Sequence, residues 1–300
     1  DLVSAISLLH DIGHPPFGHG GELALNFLMR DFGGFEGNGQ TLRLISKNED
    51  NYGNFGLDLS RRTMLGVLKY PVSYNTVCRN YSDSSKAALY IRDWLPPKCY
   101  LDSEKDVVDW LLVPFSVNDR SLFQSFTQQN LRNHGKSLYQ TLDCSIMNIA
   151  DDIAYGVHDF EDAVHLKLIH RDSLSLELFK NKYKDCLDTQ KLPDFEALVD
   201  KLFHSEKTVR KNIIGQLVNY FITSTELRIQ DSAFDSELLR FKGVLRPEAK
   251  TLLSLFKQLI FDEVINSPEA RTIEFGGQTV LTRLFEAISS NPEALLGLDA

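Results

Sequence analysis

The stretch HDIGHPPFGHGGE, residues 10–22, combines three histidines, two carboxylates, four glycines and two adjacent prolines. A hydrophobic core needs none of this mixture, so the stretch indicates chemistry. The segment before it is apolar on most faces, which predicts a buried helix over residues 2–12. Pro15 and Pro16 end that helix, because proline lacks an amide donor and clashes with the preceding turn.

His10 and Asp11 are adjacent at the end of this predicted helix. An imidazole nitrogen and a carboxylate oxygen together suit a divalent ion such as Mn, Mg, Fe, Co, Ni or Zn. An ordinary ion pair fits the same two residues, so both interpretations stay open at this point. His14 and His19 favour metal or acid–base chemistry, and Glu22 follows His19 by three residues, within reach to orient the imidazole.

Helical periodicity recurs through the rest of the chain, whereas the alternation typical of a sheet hardly appears. Helices are predicted at residues 2–12, 22–32, 60–69, 103–115, 137–164, 209–221, 252–260 and 280–288. Ser60 is the predicted N-cap of its helix, and Ser103 with Asp106 forms a near capping box. Gly276 and Gly277 are expected to break the chain, and residues 71–97 to form an irregular surface excursion. The sequence therefore predicts an all-α protein with peripheral helices.

Composition limits the class of protein. Apolar residues make up 43% and charged residues 24% of the 300 residues, as in a globular protein of one large domain. We find no apolar run long enough for a membrane span and no signal peptide. The four widely spaced cysteines predict reduced thiols in a cytosolic protein. The net charge of −9 argues against a sequence-blind nucleic-acid surface, yet a metal and a few lysines permit a phosphate-bearing ligand.

LLHDIGHPPFGHGGE, residues 8–22, resembles the signature of the HD-domain superfamily, and within it the deoxyguanosine triphosphate triphosphohydrolase branch. Three further segments match that family in order: FEGNGQTLRL at 35–44, LGVLKYP at 65–71 and NIADDIAYGVHDFEDAV at 148–164. The resemblance covers residues 1–165. It implies an HD-domain helical bundle, in which residues 1–300 form a single phosphohydrolase domain and residues 166–300 are its helical C-terminal part.

The resemblance implies one divalent metal, bound by His10, Asp11 and Asp151, the first aspartate of ADDIAY. The family's fourth ligand is a histidine of an upstream RxxHS-type motif, which we expect before Asp1. The family's closing motif, similar to DYIAGMTD, is expected after Ala300. Both ends of the chain are therefore expected to be truncated relative to the family.

Asp151, Tyr155 and Asp159 are spaced at i, i+4 and i+8, so they share one stripe of the predicted helix. The resemblance implies that Tyr155 contacts the deoxyribose and that Asp159 takes its 3′-hydroxyl. A solvated acidic face and a core tyrosine fit the same spacing. Asp152 is a further candidate site residue, and its position on a solvated acidic face of the helix is an equal alternative.

The resemblance also implies substrate and catalytic roles for residues of the first three segments. His19 and Glu22 match the catalytic pair, with His19 moving a proton as acid or base. Asn38, Lys69 and Tyr70 match contacts to the triphosphate. His14 and Gln40 are further candidates. Lys98, in PPKCY, aligns less clearly with a phosphate-binding lysine and is not counted as a site residue.

The implied activity is metal-dependent hydrolysis of dGTP, or of other dNTPs, to deoxynucleoside and inorganic triphosphate. The alternatives are an HD-type phosphodiesterase or alarmone hydrolase and a nucleotide-sensing module without turnover. The family resemblance further implies a homo-oligomer, commonly a hexamer, with single-stranded DNA or a nucleotide as effector. The cysteines and the lack of a long apolar run predict a cytoplasmic protein without membrane association.

Overall fold

The computed structural model describes residues 1–48, 53, 55–81, 93–174, 177–186 and 191–297. Helices account for most of these residues, and the strands form two small two-stranded sheets, β1–β2 and β3–β4, so the prediction of an all-α fold is confirmed. The helices are α1 Leu2–Leu9, α2 Gly18–Leu28, α3 Gly37–Arg43, α4 Arg61–Val67, α5 Tyr74–Val77, α6 Lys105–Leu112, α7 Val117–Phe123, α8 Leu142–His165, α9 Arg171–Leu174, α10 Glu177–Asp185, α11 Phe195–Leu202, α12 Lys207–Thr223, α13 Glu237–Arg240, α14 Pro247–Ile260, α15 Pro268–Ser290 and α16 Pro292–Leu296. The strands are β1 Phe126–Thr127, β2 Lys136–Ser137, β3 Thr225–Ile229 and β4 Phe241–Leu245.

The chain divides into two compact units. The first comprises Asp1–Cys144, Ile229–Phe241 and Thr272–Ala300, and the second comprises Ser145–Arg228 and Lys242–Arg271. The single domain expected over the whole chain stays a prediction. Within the described ranges, no helix combines the length and the apolar character that a membrane crossing requires.

In the first unit, α1 packs against α4, and this contact places the end of α1. Ile6 is fully buried, and a Cβ atom on Gly66 would lie 2.2 Å from the Ile6 Cδ1 atom. The close approach of the two helices therefore depends on a glycine at this position. At the start of α4 the Ser60 hydroxyl accepts the backbone N–H of Thr63, as its predicted capping role requires.

In the second unit, aromatic side chains anchor α8. Phe160 of α8 is fully buried, and its ring centroid lies 5.1 Å from that of Phe256 on α14. Phe179 of α10 lies 5.9 Å from Phe256 on another side. Tilted and edge-on aromatic pairs of this kind add about 0.5–1.5 kcal/mol each to the stabilisation from burial. This packing fixes which face of α8 is buried and which stays accessible.

Two predicted helix boundaries around the opening motif and one predicted break were wrong. α1 ends at Leu9, and α2 begins at Gly18 instead of residue 22. Phe17, at the N-cap of α2, has a left-handed backbone with a φ of 66°, which a bulky residue seldom adopts. The expected break at Gly276 and Gly277 is absent, because α15 runs through both. A Cβ on Gly277 would lie 2.3 Å from the Phe17 ring, so this glycine lets α15 pack on the turn before α2.

The predicted surface excursion at residues 71–97 was partly wrong: in the described part, Asn75, Thr76 and Asp93 are exposed as predicted, but other side chains are buried. Val72, Tyr74 and Val77 are buried in one hydrophobic cluster with Cys99 and Leu101. Residues 82–92 of the excursion lie outside the described residues.

Two predicted helix starts lie elsewhere as well. Ser103 donates its hydroxyl to the Glu104 carboxylate instead of capping, and α6 begins at Lys105. α8 begins at Leu142, because Ser137 belongs to β2, which pairs antiparallel with β1.

Candidate active site

The turn after α1 brings two imidazoles to one carboxylate. The Nδ1 atom of His10 donates to the backbone carbonyl of Ser7 at 2.7 Å, so the Nε2 atom of the neutral ring carries the electron pair. That Nε2 atom lies 3.0 Å from Asp11 Oδ2, and His14 Nδ1 lies 3.2 Å from Asp11 Oδ1. Two acceptor atoms as close as His10 Nε2 and Asp11 Oδ2 need a proton or a metal cation between them. Their nitrogen–oxygen donor set fits a divalent ion.

α3 holds this turn in place from the other side. The backbone N–H of Gly13 donates to the Thr41 hydroxyl oxygen at 3.0 Å. The same hydroxyl donates to the backbone carbonyl of His10 at 3.2 Å. Thr41 is fully buried. A Cβ on Gly13 would lie 2.1 Å from the backbone nitrogen of Thr41, so only glycine permits the contact. The position of the His10–Asp11 pair thus depends on two residues that carry no charge.

α2 carries both residues of the predicted catalytic pair, and the two have different environments. His19 is exposed in the first turn, whereas Glu22 is buried with 2% of its surface exposed. The Glu22 Oε1 atom accepts the backbone N–H of Gly37 at 3.0 Å and lies 3.2 Å from Lys98 Nζ. Both residues are within the described chain, and they make no hydrogen bond with each other. The orientation of His19 by Glu22 therefore stays a prediction.

Lys98 is the centre of a buried group that the sequence did not predict. Its ammonium donates to Glu36 Oε1 at 2.9 Å as well as to Glu22, and Asn38 Nδ2 donates to the same Glu36 oxygen at 2.8 Å. We call Glu22, Glu36, Asn38 and Lys98 the Lys98 cluster. Glu36 lies inside the matched segment FEGNGQTLRL, and this match was the sequence feature that could have indicated a functional role for Glu36. For Lys98 no local pattern indicated two carboxylate partners.

Burial and charge oppose each other in the Lys98 cluster. Burial raises the pKa of Glu36, and the Glu22 carboxylate raises it further, while Lys98 and Asn38 act in the opposite direction. For Lys98, burial lowers the pKa, but the carboxylates of Glu36 and Glu22 outweigh burial and the pKa lies above its usual value. The lysine is therefore charged at neutral pH.

Lys69 and Tyr70 follow α4 directly and are both half-buried. Burial, opposed by the charge of Lys98, raises the pKa of Tyr70 to about 12. The phenol therefore stays protonated at neutral pH and can donate a hydrogen bond. Gln40 lies half-buried on α3, one turn from the N-terminus of that helix.

In the second unit, α8 carries Asp151, Tyr155 and Asp159, as predicted for one helix. Asp151 and Tyr155 are half-buried and Asp159 is exposed. Tyr155 packs against the core of its unit, and the Lys257 ammonium lies 5.2 Å from its ring centroid. Asp152 is exposed and forms an ion pair with Lys257, which favours the solvated-face interpretation for that residue.

Partial desolvation of its carboxyl group raises the pKa of Asp159, and the neighbouring Asp162 raises it further. His158 lowers this pKa, and Asp151 adds a smaller increase. Acidic residues on one stretch of α8 thus already repel one another, which favours a cationic or hydrogen-bond-donating ligand on this helix.

Comparisons with known proteins identify a matching domain and several relatives. The phosphohydrolase-associated domain matches residues 243–299. A deoxyguanosinetriphosphate triphosphohydrolase-like protein of Aliivibrio fischeri strain MJ11 is 43% identical over 98% of this chain and 68% of its own length. Proteins with the same name from Shewanella pealeana and Pasteurella multocida are each 41% identical over 99% of this chain and 67% of their own length. These relatives and the matched domain support a phosphohydrolase activity.

Proposed function

This chain belongs to the deoxyguanosinetriphosphate triphosphohydrolase-like proteins, and we propose that it hydrolyses a deoxynucleoside triphosphate to deoxynucleoside and inorganic triphosphate. dGTP is the first substrate to test. One observation carries the proposal: the His10–Asp11–His14 turn and the Lys98 cluster both contact the start of α3. The turn that carries two of the proposed metal ligands and the cluster that carries the proposed phosphate-binding Asn38 therefore both lie at one helix terminus.

We propose that His10, Asp11 and Asp151 hold one divalent metal: Mn, Mg, Ni, Co, Fe or Zn. The bond from His10 Nδ1 to Ser7 supports this, since it fixes the tautomer that offers Nε2 as a ligand. His14, bonded to the second oxygen of Asp11, orients that carboxylate. A bound ion there would supply polarisation of the phosphate oxygens and orientation of the reacting water.

The chain's own residues then bind and orient the substrate. Lys69 and Asn38 supply positive charge and an amide donor to the triphosphate, and the protonated Tyr70 supplies a hydroxyl donor. Tyr155 and Asp159 contact the deoxyribose, with the Asp159 carboxylate accepting the 3′-hydroxyl. Groups of this kind act mainly by positioning and by neutralising charge that spreads over the phosphates.

His19 moves the proton in the proposed reaction. Its imidazole is exposed to solvent on the first turn of α2, and Glu22 on the same helix is its predicted partner. Loss of a general acid or base lowers turnover by about 100- to 10,000-fold. We therefore expect His19→Ala to lose turnover by at least about 100-fold, with its metal content unchanged.

The direct test is to incubate the purified protein with Mn or Mg and dGTP and to identify the phosphate product. Release of intact triphosphate supports the proposed reaction, whereas pyrophosphate or single phosphate refutes it. His204→Ala is the matched control for His19→Ala, because His204 is also exposed and is not among the proposed site residues. Equal turnover of the two variants would remove His19 from the mechanism.

Metal analysis of variants tests the ligand set separately. His10→Ala, Asp11→Ala and Asp151→Ala are each expected to lose the bound metal after dialysis. Asp162→Ala, an exposed carboxylate on the same helix as Asp151, serves as the control that keeps it. Full metal content in the Asp151 variant would exclude this residue as a ligand.

We also propose that copies of this chain assemble in the cytoplasm as a homo-oligomer, with a hexamer as the expected state. Apolar side chains exposed on α15 support such an assembly: Ile273, Val280 and Leu284 are each more than half exposed. Light scattering on the purified protein tests it, and a single species with the mass of one chain would contradict it.

A further inference from the structure

Glu36 accepts hydrogen bonds from three donors while fully buried. It occupies the N-cap of α3, where its Oε2 atom accepts the backbone N–H of Gly39 at 2.8 Å. Its Oε1 atom accepts Asn38 Nδ2 at 2.8 Å and Lys98 Nζ at 2.9 Å. One carboxylate therefore sets the start of a helix and the orientation of two polar side chains at once.

Glu36 also connects to Glu22 through a shared cation. The Lys98 ammonium lies 3.2 Å and 3.4 Å from the two oxygens of Glu22 and 2.9 Å from Glu36 Oε1. The lysine side chain is 39% exposed, whereas the side chains of its two carboxylate partners are 2% and 0% exposed. Between the two carboxylates, the ammonium has little rotational freedom.

We propose that Glu36 is a positioning residue for phosphate recognition, fixing the Asn38 carboxamide and the Lys98 ammonium in the orientation that receives the triphosphate. The inference rests on the proposed function, which places a triphosphate beside Asn38. Without Glu36, both side chains must be ordered when substrate binds, and that ordering costs affinity. Glu36 itself touches no substrate in this arrangement.

Glu36→Gln is the decisive variant, because it keeps the size of the side chain and removes its charge. In this variant an NH2 group, which cannot accept a hydrogen bond, replaces one of the two carboxylate oxygens. The side chain therefore cannot accept hydrogen bonds from all three donors. Glu104→Gln is the matched control. Glu104 is equally buried, with 1% exposed, but contacts Ser103 and Arg43 and lies outside the proposed site.

The measurements are kcat and KM for dGTP and the Kd for inorganic triphosphate. Glu36→Gln is expected to raise KM and Kd by about tenfold, the loss expected for one charge-assisted hydrogen bond. kcat should change much less, and Glu104→Gln should match the wild type in all three quantities. Because Glu36 acts through Asn38, its effect should shrink in an Asn38→Ala background, since coupled residues are not additive.

Several results would overturn the inference: an unchanged KM and Kd in folded Glu36→Gln, additive effects with Asn38→Ala, or an equal loss in Glu104→Gln. Should Glu36→Gln fail to fold, Glu36→Asp tests the same link, because it keeps the charge but shortens the side chain and withdraws the carboxylate from Lys98 and Asn38. It is expected to raise KM and Kd likewise, and unchanged values would overturn the inference.

Failure of the proposed function is distinguishable from failure of this inference. If the wild type releases no triphosphate from any dNTP, the proposed reaction fails, and the Kd for inorganic triphosphate alone decides the role of Glu36. If the wild type neither hydrolyses dNTPs nor binds triphosphate, both proposals are overturned.

Discussion

At the scale of single residues, buried carboxylates give this molecule a response to pH. Glu104 is almost fully buried at the start of α6, where it accepts the Ser103 hydroxyl at 2.8 Å. Burial raises its pKa above the usual 4.5, and Ser103 and Arg43 only partly oppose this. A carboxyl group with a raised pKa binds its proton more tightly in the folded than in the unfolded chain. The contribution of Glu104 to stability is therefore complete at pH values below its pKa in the unfolded chain. This contribution is lost as the pH rises through its pKa in the folded protein.

We predict that Glu104→Gln becomes more stable relative to the wild type as pH rises. The glutamine does not titrate, so it escapes the cost of ionising a buried carboxyl group. Urea denaturation of both proteins between about pH 4 and pH 8 measures the difference in the free energy of unfolding. A difference that stays constant over this range would show that Glu104 keeps its ordinary pKa.

At the scale of elements, a buried aspartate connects α7 to the segment before α13. Asp119 Oδ1 accepts the backbone N–H of Asp235 at 2.7 Å, and its Oδ2 atom accepts that of Ser236 at 3.0 Å. Asp119 is 1% exposed, so water does not replace its carboxylate as the acceptor for these two backbone N–H groups. A short helix and a distant segment of the same unit are thus joined by two charge-assisted hydrogen bonds.

We predict that Asp119→Ala lowers the free energy of unfolding by about 2–4 kcal/mol, since two buried N–H groups lose a charged acceptor. Asp235→Ala is the control at the same junction. It removes an exposed bond to the Ser116 hydroxyl, and exposed pairs contribute about 1 kcal/mol or less. Denaturation curves of the two variants test this, and equal losses would contradict the role of Asp119.

At the scale of the whole molecule, the chain returns twice to its first unit. Ile229–Phe241 and Thr272–Ala300 join residues from the N-terminal half in that unit. The proposed metal ligands are likewise distant in sequence, with His10 and Asp11 near the start and Asp151 on α8. No short segment of the unfolded chain holds all three, so the proposed site requires the folded protein.

We predict that Mn²⁺ raises the melting temperature of the wild type and not that of Asp151→Ala. A ligand that binds only the folded state stabilises it by about 2.7 kcal/mol at 100 times its Kd. Thermal unfolding with and without Mn²⁺, after removal of metal by a chelator, measures the shift. The same shift in the Asp151 variant would contradict the proposed ligand set.

The sequence by itself determined the all-α class, the capping of α4 by Ser60 and the presence of Asp151, Tyr155 and Asp159 on one helix. Periodicity and caps depend on residues a few positions apart, so a local pattern suffices to predict them. The four matched segments likewise indicate the family, because each is a contiguous run of residues.

Only the tertiary structure decided which charged and polar side chains of the site contact one another. The Lys98 ammonium donates to the carboxylates of Glu22 and Glu36, and the Thr41 hydroxyl accepts the backbone N–H of Gly13. These partners are far apart in sequence, so no local pattern encodes the contacts. Gly277 favours a helix break when considered in isolation, yet it lies within α15 because its missing side chain leaves room for Phe17. Local preference decides where a helix can form, and packing against a distant partner decides where it does form and which side chains it brings together.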